Sequence, residues 1–466
     1  MVGTPFSSRP VSADQRILEG HSAVPPAGDG RDARNGRSGR IAKGGVTLLA
    51  FLLCVAVQTP AQEQPATSAP ALIARGEYLA KAADCAGCHT APMGGAPYAG
   101  GLEMTSPFGT IVSSNITPDR RYGIGAYSYA DFERALREGV APGNKRLYPA
   151  MPYVSFSKVS DDDMRALYAF MMNGVKPVGK PAPPTRVPFP FNQRWALAFW
   201  DFVFAPSGHF QPSSDRDAQW NRGAYLVQSL GHCGSCHTPR GAGYEERGYD
   251  DSSKEYLSGG VNDTWYAPNL RGDTGSGLGR VSQDELAAFL KTGHGAGIAA
   301  FGSMVETVED SLQYLNDDDV HAIARYLKTL PATGAADGQY KPSLQSVEKT
   351  RAPDKPSATG AAIYASFCAQ CHQANGAGIS KTFPKLAGNQ AVISEDTTSL
   401  IRLMVEGGNS PATANGPPRQ AMPAFSGILT DGQIAQVLTF IRGSWGNDAR
   451  PVTTSNVASL RSELHK

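Results

Sequence analysis

The sequence predicts a mainly α-helical protein of three similar domains in tandem, with long loops rich in glycine and proline. The observation that decides this is a Cys-x-x-Cys-His motif that occurs three times in 466 residues, at spacings of 148 and 135 residues. The same order of helical patterns and loops recurs around each copy. The chain also contains 51 glycines and 34 prolines, a composition that favours short helices joined by ordered loops.

The overall composition excludes several classes of protein. Hydrophobic residues make up 41% of the chain and the mean hydropathy is −0.29, so the chain is neither disordered nor a polytopic membrane protein. The 43 Lys and Arg residues nearly balance the 42 Asp and Glu residues, giving a net charge of +1. Because binding to phosphates needs a basic excess, we expect no nucleic-acid partner.

Six of the seven cysteines fall into the three motifs. These read Cys85-Ala-Gly-Cys88-His89, Cys233-Gly-Ser-Cys236-His237 and Cys368-Ala-Gln-Cys371-His372. The pattern is the attachment site of a c-type haem, in which two thiols bind the porphyrin vinyl groups and the imidazole is the proximal iron ligand. The sequence therefore predicts three covalently bound haem c groups.

Other uses of Cys-x-x-Cys fit the sequence less well. A zinc site needs two pairs brought together, and three pairs cannot be shared evenly. A thioredoxin-like site expects one pair in a βαβ context, which the sequence lacks. Disulfides within the pairs would not require a histidine after each.

The N-terminal region, residues 1–61, is predicted to be a signal peptide region. An apolar run over residues 46–57 is too short for a bilayer, which needs roughly 20 residues, but suits a secretory signal. Cleavage after Ala61 would remove Cys54 and leave Gln62 as the first residue. We therefore expect an exported protein of the periplasm, at the outer face of a bacterial inner membrane.

Composition changes and helix signals set the predicted domain boundaries. Three segments have the residues typical of a helix N-cap and predict the start of a closing helix: Ser160 to Asp163, Asn316 to Asp319 and Thr430 to Gln433. The first and the last of them fit a capping box. Pro-rich and polar stretches between the repeats are typical of linkers. The predicted haem domains are 70–178, 215–331 and 357–446, with linkers 179–214 and 332–356 and a tail 447–466.

Each predicted haem iron needs a second axial ligand. In the second domain Met304 is the only methionine between His237 and the end of the closing helix, with His294 and His321 as rivals. In the third domain Met422 lies in a loop before Pro423, whereas Met404 lies in an apolar helix. In the first domain Met151, before Pro152, occupies the same relative place. The other methionines there are too near the motif or lie on or beside the closing helix: Met93, Met104, Met164, Met171 and Met172.

Ligation by His and Met leaves no open iron position and favours electron transfer over oxygen or peroxide chemistry. We also expect a carbonyl group near each proximal histidine to hold its ring, because outer hydrogen bonds orient ligating imidazoles. The loop prolines Pro118, Pro268 and Pro384 are the candidates for these carbonyl partners.

Over residues 70–450 the chain resembles the three-haem cytochrome c subunits of bacterial membrane-bound dehydrogenases. The resemblance rests on the three motifs and on segments 109–118, 148–153, 231–240, 383–388 and 421–425. It implies three cytochrome c-like haem domains and supports the three Met ligands. It also implies electron flow from a large catalytic subunit, of quinoprotein, flavoprotein or molybdenum type, to ubiquinone.

Two regions bear on membrane attachment. Family members often carry a hydrophobic C-terminal segment, whereas the tail 451–466 here is polar, so we expect peripheral membrane association. The aromatic run 195–204 is expected to form a helix packed between two haem domains, or else a docking or membrane-interface patch. The alternative functions are a free periplasmic electron carrier and a haem peroxidase or reductase.

Overall fold

The computed structural model describes residues 68–334, 338–342 and 357–464. The predicted export signal and Cys54 lie outside these residues. The described part is mainly helical, with short two-stranded ladders, which confirms the predicted fold class. Within the described residues, no helix is both long and apolar enough to cross a membrane.

Each predicted domain begins and ends with a helix, and the haem motif follows the first helix directly. The first domain contains α1 (Ala69–Ala82), α2 (Cys85–Cys88), β1 (Glu103–Ser106), β2 (Gly109–Val112), α3 (Tyr129–Glu138), β3 (Val140–Ala141), β4 (Lys145–Arg146), α4 (Tyr153–Phe156) and α5 (Asp161–Asn173). The region between the first two domains contains α6 (Leu197–Phe204).

The second domain repeats this order, and the third follows it except that, in its described residues, no strand pair lies between the haem motif and the next helix. The second contains α7 (Ala218–Gln228), α8 (Gly234–His237), β5 (Gly260–Asn262), β6 (Trp265–Ala267), α9 (Gln283–Thr292), β7 (His294–Gly295), β8 (Ile298–Ala299), α10 (Ser303–Asp310) and α11 (Asp317–Thr329). Strand β9 (Gln339–Tyr340) follows. The third contains α12 (Ser357–Phe367), α13 (Ala369–His372), α14 (Gln390–Ile393), α15 (Thr398–Glu406), β10 (Gly408–Asn409), β11 (Ala421–Met422), α16 (Asp431–Arg442), β12 (Asn447–Asp448) and α17 (Thr454–Leu464).

In every domain the first helix crosses the closing helix at a glycine. The pairs are α1 with α5, α7 with α11 and α12 with α16. A Cβ atom added to the glycine would lie within 2.3 Å of a carbonyl oxygen of the partner helix, at Gly76 against Ala166, Gly223 against Ala322 and Gly360 against Gln436. The two backbones therefore approach as closely as they do only because no side chain separates them.

The closing helices begin where the sequence predicts. The side chains of Ser160, Asn316 and Thr430 each accept a hydrogen bond from the backbone N–H three residues later. Thr430 and Gln433 form the full capping box. The reciprocal hydrogen bond of a capping box, from the Ser160 N–H to the Asp163 carboxylate, is not formed, because that carboxylate instead accepts hydrogen bonds from side chains of two other helices.

The first two domains share one continuous hydrophobic core, and the third has its own. Two equivalent carboxylates hold the shared part together. Asp163 accepts hydrogen bonds from Arg75 of its own domain and from Tyr225 Oη of the second, each at 2.6 Å. In the second domain, Asp319 accepts two hydrogen bonds from Arg222 at 2.7 Å.

A contact equivalent to that of Tyr225 is made in the opposite direction, from the first domain to the second. Tyr78 Oη of the first domain donates to Asp319 at 2.6 Å. Each domain therefore supplies an Arg to its own Asp and a Tyr to the Asp of its neighbour, so the two domains pack as an approximate two-fold pair. This follows from the matching sequences Arg-Gly-x-Tyr in α1 and α7 and Asp-Asp-Asp at the start of α5 and α11.

The predicted tail adds a helix to the third domain. Helix α17 buries Val457 and Leu460 in the core of that domain. Strand β9, from the predicted linker 332–356, pairs antiparallel with β12. Both segments on either side of the third domain are therefore tied to its fold.

We expect Gly223→Ala to lower the free energy of unfolding by roughly 1–3 kcal/mol, because the added methyl group forces apart α7 and α11. Chemical denaturation of the purified protein measures this loss. Gly427→Ala is the matched control, since a Cβ atom there meets nothing within 4 Å. Equal stability of the two variants would contradict the close-crossing interpretation.

We expect Asp319→Asn to destabilise the protein by roughly 1.5–3 kcal/mol at neutral pH. Burial opposes ionisation, but hydrogen bonds from Arg222 and Tyr78 hold the pKa of Asp319 below its ordinary value. The stabilisation is therefore complete above about pH 4 and is lost as the pH falls through the lowered pKa.

Denaturation midpoints measured between neutral and acid pH check this expectation. The exposed neighbour variant Asp318→Asn should behave like the wild type throughout. The interpretation fails if Asp319→Asn loses stability on acidification as steeply as the wild type does.

Candidate haem sites

Each motif forms a single helical turn immediately after the first helix of its domain. All six motif cysteines are free of disulfide bonds. Burial raises the pKa of the Cys85, Cys88 and Cys233 thiols to about 12 and that of Cys368 to about 11. Among the residues that the structure describes, no three His, Cys, Asp or Glu side chains are grouped so that they could hold a metal ion, which disfavours the zinc alternative.

The three motif histidines share one hydrogen-bond arrangement. Their Nδ1 atoms lie 2.7–2.8 Å from backbone carbonyl oxygens, in the pairs His89 with Ser114, His237 with Pro268 and His372 with Pro384. Burial lowers the pKa of each imidazole, so the neutral form is favoured. A neutral ring that donates from Nδ1 keeps Nε2 as a lone-pair donor for iron, which is the donor chemistry that a haem requires.

Two of the three predicted carbonyl partners are correct, and the prediction for Pro118 is wrong. The partner of His89 is Ser114, four residues before Pro118. In the first two domains the residue that holds the partner carbonyl in place is the asparagine directly after it. Asn115 and Asn269 each accept a hydrogen bond from the backbone N–H two residues later, which forms a turn. The asparagine turn, and not the proline, is the feature that the first two domains share.

The three predicted methionine ligands are partly buried, and only Met151 lies outside a helix or strand, whereas the loop predicted for Met422 is a short strand. Met151 lies just before α4, Met304 in the first turn of α10 and Met422 in β11. Other methionines have different surroundings. Met164 and Met404 are buried in hydrophobic cores, and Met93 is fully exposed.

In the third domain one cavity brings together the whole predicted ligand set. Cys368, Cys371, His372 and Met422 all line it. The remaining lining is largely apolar and includes the side chains of Phe367, Phe383, Leu403 and Phe425. The residues present therefore fit a haem, to which Cys368 and Cys371 would be joined as thioethers and for which His372 and Met422 would supply the iron ligands.

This cavity is not built by the third domain alone. Residues 299–301 of the second domain, just before Met304, form part of its wall. Sequence reasoning missed them, because their role depends on how the two domains pack. The backbone N–H of Lys385 donates to the Gly297 carbonyl at 2.8 Å, which holds this segment beside Pro384.

The first and second motifs are also close to each other. Helix α10, which carries Met304, packs against the haem-motif helix α2 of the first domain. The ring of His232, directly before the second motif, packs edge-on against Phe156 of the first domain at 5.7 Å. The second domain therefore contacts the haem-site regions of both other domains.

The rival ligands in the second domain have separate contacts. His321 Nδ1 lies 2.7 Å from the Asp317 carbonyl oxygen, on the surface of its own helix α11. His294 Nδ1 lies 3.2 Å from the Thr292 carbonyl oxygen, and its Nε2 is buried without a hydrogen-bond partner in the described structure. The assignment of Met304 over His294 stays a prediction.

Comparison with known proteins decides the family. The family described as cytochrome c matches residues 73–174, 221–331 and 357–445. This chain belongs to the cytochrome c family. The cytochrome c subunit of gluconate 2-dehydrogenase from Pantoea cypripedii is 49% identical over 399 residues, covering 84% of this chain and 90% of that protein.

Two further relatives are subunits of other dehydrogenases. The cytochrome c subunit of the quinone-dependent alcohol dehydrogenase of Gluconobacter oxydans is 45% identical and covers 84% of this chain and 82% of that protein. The fructose dehydrogenase cytochrome subunit of Gluconobacter japonicus is 38% identical, with coverage of 86% and 85%. The predicted resemblance to dehydrogenase cytochrome c subunits is confirmed, and membership of the family supports covalently bound haem c.

We expect Met422→Leu to remove about one third of the Met–iron charge-transfer absorption and to lower the potential of one haem, because the iron loses its thioether ligand. Absorption spectroscopy and a redox titration of the purified protein measure both effects. Met404→Leu, a buried substitution in the same domain, should leave the band intact. Loss of the band in Met404→Leu instead would contradict the ligand assignment.

Proposed function

We propose that this protein is a tri-haem electron-transfer subunit that receives electrons from a dehydrogenase catalytic subunit and passes them to ubiquinone. The observation that carries the proposal is the threefold repetition of one arrangement: a Cys-x-x-Cys-His turn whose histidine Nδ1 faces a carbonyl oxygen. Haem c supplies one-electron redox chemistry at its iron when it is bound.

The residues of each site have separate tasks. The cysteine pairs 85/88, 233/236 and 368/371 attach the porphyrins. His89, His237 and His372 are the proximal ligands, each oriented by its carbonyl partner. Met151, Met304 and Met422 would supply the second iron ligands, and thioether ligation would raise the potentials and keep small oxidants off the iron.

The contacts between domains support electron transfer within the chain. The helix of Met304 packs on the first motif, and the segment before Met304 lines the cavity of the third. Three sites that adjoin through the second domain suit passage of electrons along the chain. Isolated carriers fused only by linkers would not need such contacts.

The relatives support the identity of the electron donor. All three dehydrogenases named above contain a cytochrome subunit that this chain matches over most of its length. We therefore infer a large catalytic partner of quinoprotein, flavoprotein or molybdenum type. We place the complex on the periplasmic side of the inner membrane, with this subunit attached peripherally.

We expect a C-terminally tagged form to co-purify from gently solubilised membranes with a stoichiometric large subunit, and addition of that subunit's substrate to reduce all three haems. Cofactor analysis of the large subunit and haem spectra measure the two results. An untagged strain is the control for non-specific capture.

Two outcomes would contradict the proposal. Recovery of the chain alone in the soluble fraction, with three haems, would identify a free periplasmic carrier. A high-spin haem in the wild-type protein would indicate an open iron position and favour a peroxidase or reductase.

A further inference from the structure

The segment between the first two domains carries an exposed aromatic surface. We call it the aromatic ridge; its residues are Phe189, Phe191, Trp195, Phe199, Phe202 and Val203. The side chains of Trp195, Phe199 and Phe202 are 77%, 71% and 88% exposed. Large aromatic side chains at such exposure, grouped on one short segment, mark an interaction site.

The exposure does not arise from a loosely held helix. The other side of α6 is tied to both neighbouring domains. Asp201 accepts hydrogen bonds from Arg146 and, at 2.6 Å, from Tyr153 Oη of the first domain. Trp200 Nε1 donates to the Gly243 carbonyl of the second domain at 2.7 Å.

Helical periodicity separates these two sides. Trp195, Phe199 and Phe202 recur at the spacing of one helix face, and Trp200 and Asp201 lie on the opposite face. The expectation that this helix packs between the domains is therefore half correct. One face packs, and the aromatic face is left to solvent.

We propose that the aromatic ridge is the surface through which this protein lies on an anionic lipid bilayer. The outward face of α6 offers aromatic rings and Val203 but no charged side chain, because its one carboxylate, Asp201, points at Arg146 and Tyr153. A docking site for another protein would be expected to combine apolar contacts with about one hydrogen bond per 100–200 Å². Trp195 in the turn before α6, together with Phe199 and Phe202 on one face of α6, matches the interfacial region of a membrane.

Cations at the edge of the ridge complement anionic headgroups. The Arg194 guanidinium stacks on the Tyr148 ring at 4.2 Å and donates to the Arg146 carbonyl oxygen, directly beside α6. Lys145 is exposed next to Arg146 in β4. Among the residues that the structure describes, neither Arg194 nor Lys145 forms an ion pair with a carboxylate, so both charges are available to lipid phosphates.

The position of the ridge is consistent with the proposed function, on which this part of the argument rests. Tyr153, which holds Asp201 of α6, is two residues after the predicted ligand Met151. A bilayer against the ridge would bring the methionine side of the first haem domain close to quinone dissolved in the lipid. The described C-terminal helix α17 does not offer a comparable surface, because it buries Val457 and Leu460.

The test is flotation of the purified holoprotein with vesicles of phosphatidylethanolamine and the anionic lipid phosphatidylglycerol. We expect the wild type to float with the vesicles. The variant Phe199→Ser/Phe202→Ser should bind at least about tenfold more weakly, because it lacks two aromatic rings that the wild type would bury in the lipid. The control Tyr314→Ser/Ile428→Ser removes two exposed hydrophobic side chains elsewhere and should bind like the wild type.

A second variant tests the charged edge. Lys145→Gln/Arg194→Gln should lose most of the dependence of binding on phosphatidylglycerol while it still binds weakly through the rings. Haem content and thermal unfolding, measured for every variant, separate loss of the surface from loss of the fold. The residues changed in these two variants lie on the aromatic ridge (Phe199 and Phe202) or at its edge (Lys145 and Arg194).

Three results would overturn the inference. The wild type could fail to float, or Phe199→Ser/Phe202→Ser could float as well as the wild type. The ridge variant could also keep vesicle binding and lose co-purification of the dehydrogenase, which would identify a protein-docking surface. Failure of the proposed function is distinguishable, because it would appear as haems that the dehydrogenase cannot reduce, whatever the vesicles show.

Discussion

The close crossing of the first and last helix in each domain is the contact on which the rest of the structure depends. The glycine at each crossing lets a helix backbone rest directly on the carbonyl groups of its partner. This fixes where the first helix ends, and the haem motif follows within a few residues. The first motif cysteine comes 9, 10 and 8 residues after the crossing glycine in the three domains, so each motif lies close to this contact.

The same pair of helices also joins the first two domains. The Arg and the Tyr of the sequence Arg-Gly-x-Tyr flank the crossing glycine, one directed to the closing helix of its own domain and the other to that of its neighbour. In the third domain the residues around the crossing glycine Gly360 do not match this sequence, because Thr359 and Ala362 stand in place of the Arg and the Tyr. This domain has a separate core. The third domain thus lacks the groups that pair the first two, the Arg and Tyr around the glycine and the third acidic residue of the closing helix, where Gln433 stands.

Local features of this protein could be predicted from the sequence to a large extent. The helix caps, the repeated order of elements and the family follow from short patterns, because caps and motifs act over a few residues. The partner of His89 could not be predicted from proline positions, since an asparagine turn sets that carbonyl. The carboxylate of Asp163 fits a capping box by sequence, but a tertiary contact with Tyr225 takes it.

Features that depend on packing between domains were beyond the reach of sequence patterns. The run 195–204 is apolar throughout, and periodicity alone does not say which face meets protein. Likewise, nothing in the polar sequence of α17 distinguishes a free tail from a helix that buries Val457. Only the contacts of neighbouring elements decide such cases.

The wall that residues 299–301 add to the third cavity has a consequence for how this protein can be divided. A domain that borrows part of its cofactor pocket from its neighbour is not an independent module. Expressed by itself, the third domain would expose to water an edge of its cavity that the second domain covers in the whole chain. Because the second domain also shares its hydrophobic core with the first, the natural unit for transplanting this protein is the three domains together.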